Sequence, residues 1–168
     1  MPETIKVLYS EEVIKIQGVN YHHHPNGGGL VVETAEVAQT VYIGPLAWVL
    51  GAAKVKGYAV VNGFAVVSGN AIVYGNAVIH GHARVCDNAK VYGNAVIHSH
   101  ARVCDNAKVW GKAWVFDNAV VCGNAWVCGD ALVSGHERLY DDMWVCGSDR
   151  IDCIDGCTRK AQHSRSHI

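Results

Sequence analysis

Every sixth residue from Val31 to Ile151 is Val, Ile or Leu, 21 positions without a break. The position two residues earlier is Ala at each step from Ala47 to Ala131, fifteen in succession. Two residues after each aliphatic, from Gly51 to Gly147, stands Gly or Asp, with Ser once. Each unit therefore reads Ala-x-Val-x-Gly/Asp, commonly followed by Asn, His, Asp or Lys. Residues two apart on a strand point to the same side, so Ala and Val share one face and the residues flanking Val take the other. Gly, Asn and Asp tolerate the positive φ of a sharp corner. A fixed period of six with a corner in every unit excludes a helix, whose apolar positions recur every 3.6 residues.

Short strands separated by corners must close into a coil, and a second periodicity gives the number per turn. GNAVIHGHARVCDNAKVYG (75–93) is followed directly by GNAVIHSHARVCDNAKVWG (93–111), a near copy displaced by 18 residues. Three hexads then make one triangular turn, and successive turns stack at about 4.8 Å. The 21 hexads give seven coils, a column roughly 34 Å tall at that spacing. Half of the 168 residues are apolar, ample for such a core. Burying one Val contributes about 1.5–3 kcal/mol before conformational entropy is charged. The column needs neither metal nor disulfide, and its open ends are its weak points.

This pattern resembles the hexapeptide-repeat, left-handed parallel β-helix superfamily. The GGGLVVETAEV opening and the GNAxVxG run are most similar to bacterial and phage members of no assigned chemistry. The likeness spans residues 31–151, and the left hand is implied by the resemblance alone. The superfamily includes trimeric acyltransferases and γ-class carbonic anhydrases, so it implies a fold and leaves the activity open.

The ends depart from the repeat. Residues 1–20 hold two alternating runs, TIKVLYS and VIKIQG, on either side of Glu11 and Glu12; they read as an N-terminal β-hairpin cap. Residues 21–30, with YHHHPNGGG, read as a linker in which His22, His23 and His24 are solvated rather than ligating. At the far end the Ala position changes to Glu137, Met143 and Asp149, so the last coil is imperfect and a basic tail leaves the column at residue 152.

Charged residues make up 17% of the chain and the net charge is −1, which removes any strong electrostatic case for nucleic acid or an anionic membrane. No apolar run approaches the roughly 20 residues of a membrane span, and the first residues lack the blocks of a signal peptide. The seven Cys are odd in number and scattered, so free thiols in a reducing, cytoplasmic compartment are expected.

Because positions 18 apart stack, outward residues sort into faces. One face carries Val60, Val78, Val96, Trp114 and Leu132, followed beyond the inward aliphatic by His80, His98 and Phe116. So apolar a stripe should not face water, and the superfamily packs such faces around a three-fold axis, which implies a homotrimer. His80 and His98 stack one rung apart on that face, with His82 and His100 at the adjoining corner. One imidazole could act as general base, as in acyltransferases that take acyl-coenzyme A; alternatively the histidines could hold zinc, as in the anhydrases. The spacings of 2 and 18 depart from the anhydrase pattern, and duplication of the coil alone would also copy the histidines. Acyltransferases usually extrude a loop from the column, and here the hexads run without insertion.

Three further groups carry chemistry. Cys86, Cys104 and Cys122 stack beside Arg84 and Arg102, and Cys128 and Cys146 stack beside Trp126 and Trp144; either set could oxidise or take up metal. Tyr74, Tyr92 and Trp110, with Lys90 and Lys108 alongside, could stack bases or sugars. The tail holds Cys153, Cys157, His163 and His167 in the order C-x3-C-x5-H-x3-H, donors able to wrap a zinc ion. Together these readings point first to a rigid homotrimeric binding module, with acyl transfer and then metal-dependent hydration as the enzymatic alternatives.

Overall fold

The structure, a computed structural model, describes residues 12–153. Among them 23 strands follow one another with no helix between, and so no helix is long and apolar enough to cross a membrane. From Leu30 onward most strands are two residues long, an outward residue followed by the inward aliphatic of the hexad. They wind into about seven parallel coils of 18 residues, a β-solenoid, as the double periodicity requires.

Three sheets form the faces of the column. The first face stacks the strands that begin at Leu30, Trp48, Val66, Arg84, Arg102, Val120 and Arg138. The second begins its strands at Glu36, Lys54, Ile72, Lys90, Lys108, Trp126 and Trp144, and the third at Tyr42, Val60, Val78, Val96, Trp114, Leu132 and Arg150. Pairing never slips: Val78 lies between Val60 and Val96, and Lys108 between Lys90 and Trp126. A slip by one residue would turn every Val outward, and the buried bore forbids it.

The interior is a single apolar cluster. The fifteen alanines and their aliphatic partners from Val49 to Val133 have no exposure at all. One branched and one small side chain per strand is what a triangular bore of this width holds at native packing density.

Corners explain the Gly/Asp position. At Gly57 φ is +72°, and a Cβ there would sit 2.8 Å from the Gly75 carbonyl oxygen of the next coil. Asp87, Asp105 and Asp117 occupy equivalent corners with φ of 59°, 56° and 58°. Each offsets the strained backbone by a carboxylate that accepts the backbone N–H one coil on, from Asp105, Gly123 and Gly135 at 3.3, 2.9 and 3.2 Å. Beside them the Asn position builds a ladder. Asn70 donates to Asn88, Asn88 to Asn106, Asn106 to Asn124 and Asn124 to Asp142, each at 3.3 Å.

The N-terminal end is closed by β1 (Ile14–Ile16) and β2 (Val19–His23), an antiparallel hairpin. β2 also pairs antiparallel with β3 (Leu30–Val32), the first strand of the first face, and so covers that sheet's edge. The described hairpin turns at Gln17 and Gly18, both at positive φ; TIKVLYS and Glu11, about which the sequence places a turn, lie outside the described residues. Tyr21, His22 and His23, expected in a linker, belong to β2, because their alternation continues the strand. The chain then folds under the first coil: Gly29 N–H donates to the Ile43 carbonyl at 2.9 Å, and Ile43 N–H to the Asn26 carbonyl at 3.0 Å. A Cβ at Gly29 would lie 2.3 Å from the Ile43 side chain, which is why this loop is glycine-rich. His24, expected in solvent, is buried there at 3% exposure. Its Nδ1 meets the backbone of Asn26, and its Nε2 has no partner among the described residues.

At the other end the column outlasts the hexad pattern. Leu132–Gly135 pairs with Arg150–Cys153, setting Ser134 against Asp152 and Gly135 against Cys153. Asp152 therefore still belongs to a strand, since backbone pairing does not need the Ala-Val signature.

Candidate functional site

The third face and its adjoining corner gather most of the candidate residues. Val60, Val78, Val96 and Leu132 form a straight half-buried row, and Trp114 within it is 45% exposed. One residue beyond the inward aliphatic, His80, His98 and Phe116 stack as parallel rings, with centroids 5.0 and 5.1 Å apart. Trp114 meets His98 edge-on at 5.9 Å. At the corner Phe64, His82 and His100 form a second stack at 4.8 Å spacing. The sequence expectation that these histidines stack rung on rung is met.

Stacking limits what the histidines can do. Burial, and then the neighbouring His80, lower the pKa of His98 below the usual 6.5, against a smaller opposing pull from Asp117. Burial thus favours the neutral form of the His98 ring, with Nδ1 3.0 Å from the Ser99 hydroxyl. A neutral imidazole can accept a proton. Zinc is a poor fit: parallel rings aim their nitrogen lone pairs side by side rather than at a common point. Among the described residues no third ligand joins His80 and His98 to complete a metal set.

Below the His82 and His100 stack the same corner opens into a groove of about 620 Å³, lined by Ser99, His100, Asp117, Asn118, Gly135, His136 and Asp152. Sequence reasoning missed His136 and Asn118 here. The signal was present, since adding 18 twice to residue 100 reaches both.

The second face carries the aromatic row. Tyr74 stacks on Tyr92 at 4.8 Å, and Tyr92 on Trp110 at 5.7 Å. These rings turn their faces to one another, so a sugar or base meets mainly ring edges. Trp126 breaks the stack, edge-on to Trp110, with the Lys108 ammonium 5.0 Å above its ring. Trp126 and Trp144 with Asn124 and Asp142 line a groove of about 410 Å³. Cys128 and Cys146 on this face form a disulfide, which corrects the expectation of free thiols throughout. Register sets their Cα atoms 4.5 Å apart, inside the range a disulfide spans.

Cys86, Cys104 and Cys122 stay free on the first face, each half-buried. Burial is the main cause that raises all three thiols. For Cys104, flanked by the other two, it combines with them to push the pKa up to about 12. Of the C-x3-C-x5-H-x3-H set, Cys153 ends the final strand; Cys157, His163 and His167 lie outside the described residues.

Comparison with known proteins agrees with this architecture. Residues 65–81 and 83–99 match a family model described as a YdcK β-solenoid repeat. Each match is about one coil long, and together they include His80 and His98. No curated protein matches the chain.

Proposed function

We propose that this β-solenoid is a rigid association module that packs its third face against two further copies of itself and receives its ligand or partner in the crevices between columns. One observation carries the reading: Val60, Val78, Val96, Trp114 and Leu132 run down the face in unbroken register. A large apolar row on a rigid support loses water when a matching surface covers it, and identical rows from three copies meet around an axis without leaving an open edge. The His80, His98 and Phe116 stack would then line the rim of each crevice, and the His100 and His136 groove its adjoining corner.

Mass by native mass spectrometry and light scattering tests this. The parent chain is expected as a trimer, and Trp114→Glu or Val96→Glu as a folded monomer, because each sets a charge in the dry centre of the interface. A parent that stays monomeric at tens of micromolar overturns the reading.

Acyl transfer from acyl-coenzyme A is the second reading, favoured by the half-buried imidazole of His98 beside the Ser99 hydroxyl. Acetyl-coenzyme A binding that is lost in His98→Ala, and kept in His82→Ala, would move it to the front.

A further inference from the structure

The first face, one of the two that the proposed association surface leaves free, holds a donor set that neither reading uses. The sulfurs of Cys86 and Cys104 and a carboxylate oxygen of Asp87 all lie within 4.8 Å of one another. One coil on, Cys104, Cys122 and Asp105 repeat the arrangement. The two triads share Cys104. Two sulfurs on one tetrahedral zinc ion stand about 3.8 Å apart, given bonds of about 2.3 Å. Small χ1 rotations of half-buried side chains close that difference.

Three features separate this column from an ordinary copied row. The carboxylates are held in place: Asp87 and Asp105 each commit one oxygen, Oδ2, to a backbone N–H of the next coil. That bond fixes the direction in which each carboxylate points, the outer support that positions a ligand. The disulfide pair on the second face gives a contrast, since Cys128 and Cys146 are each followed directly by a glycine, Gly129 and Gly147, where Cys86 and Cys104 are followed by an aspartate. Lastly, Arg102 lies against Cys86 and offsets the charge that thiolates and carboxylate would bring to a bound cation.

We propose that Cys104 is the bridging ligand of a two-site centre for thiophilic divalent cations of the zinc class. Cys86 and Asp87 complete it on one side, and Cys122 and Asp105 on the other. Thiolate sulfur selects a soft or borderline cation, and the carboxylates favour a divalent ion over a monovalent one. Each thiol gives up its proton to solvent as its sulfur bonds the ion, so uptake is accompanied by proton release and no electrons move.

The test uses the full chain, reduced and freed of metal. It is titrated with zinc against a chromophoric chelator, and with cobalt(II) to read thiolate-to-metal charge transfer. Two ions per chain are expected, with one lost in Cys86→Ser, one in Cys122→Ser and both in Cys104→Ser. A Cys153→Ser, Cys157→Ser variant should keep both. Uptake by Cys104→Ser equal to the parent overturns the proposal, as does a reduced parent without a charge-transfer band. A band that vanishes only in the Cys153→Ser, Cys157→Ser variant assigns the metal to the tail and overturns it too.

Discussion

Asp117 sits at a corner with φ of 58°, where a side chain without a hydrogen-bonding group is strained by about 1–2 kcal/mol. Its carboxylate accepts the Gly135 N–H at 3.2 Å, a bond contributing about 0.5–1.5 kcal/mol. Asp117→Gly should therefore lose the bond but also shed the strain, whereas Asp117→Ala loses the bond and keeps the strain. Denaturant unfolding should put Asp117→Gly close to the parent and Asp117→Ala below both, about 1–2 kcal/mol beneath Asp117→Gly. Equal stability of the two variants would mean that the corner backbone relaxes. The Gly/Asp alternation was visible in the sequence as turn chemistry. That Asp substitutes for Gly by reaching to the next coil was not, because the bond joins residues 18 apart.

The strands are too short to be stable singly, so each exists through its neighbours above and below. The hexad pattern specified them completely, since inward Ala and Val cannot be confused with any other period. Where the pattern lapses, legibility lapses too. The turn at Gln17 and Gly18 was hidden by a stronger alternation upstream, and Arg150–Cys153 stays in register although Asp149 replaces the alanine. Oxidation state was also illegible: stacked cysteines follow from the period, but whether two sulfurs bond depends on side-chain direction. The Cys128–Cys146 disulfide staples adjacent coils across a separation of 18 residues, and in the chain-entropy model a loop of that size contributes about 3 kcal/mol. Its reduction should raise amide exchange first in Trp144–Val145 and Arg150–Cys153, with the coils before Cys104 unchanged. Hydrogen exchange by mass spectrometry reads this, and uniform acceleration along the chain would show that the coils do not open separately.

At the scale of the whole column, stability is a sum over coils and the surface is a property of phase. Excising residues 93–110 removes one coil and leaves every downstream residue on its face. Excising 93–98 keeps the inward Ala and Val pattern but moves each downstream residue to a neighbouring face, so that Trp114 and Leu132 part from Val60 and Val78. Both shortened chains should fold, the first about 4.8 Å shorter by small-angle scattering. Only the first should keep the trimer. Loss of folding in both would mean that interior pattern alone does not carry the column, and a trimer in both would place association off the third face.

The near identity of residues 75–92 and 93–110 also makes the column an ambiguous ruler. A partner that recognises one of these coils finds almost the same donors, rings and charges one rung further along. Bound there, it would sit displaced by a single spacing at little cost. Such a partner slides between equivalent seats unless something marks the place. The marks are few: Ser99 where the earlier coil has Gly81, Trp110 where it has Tyr92, and the change from His80 and His98 to Phe116 on the rung after. Whatever docks with a fixed address must read these irregularities, because the repeats that build the fold cannot tell it where it is.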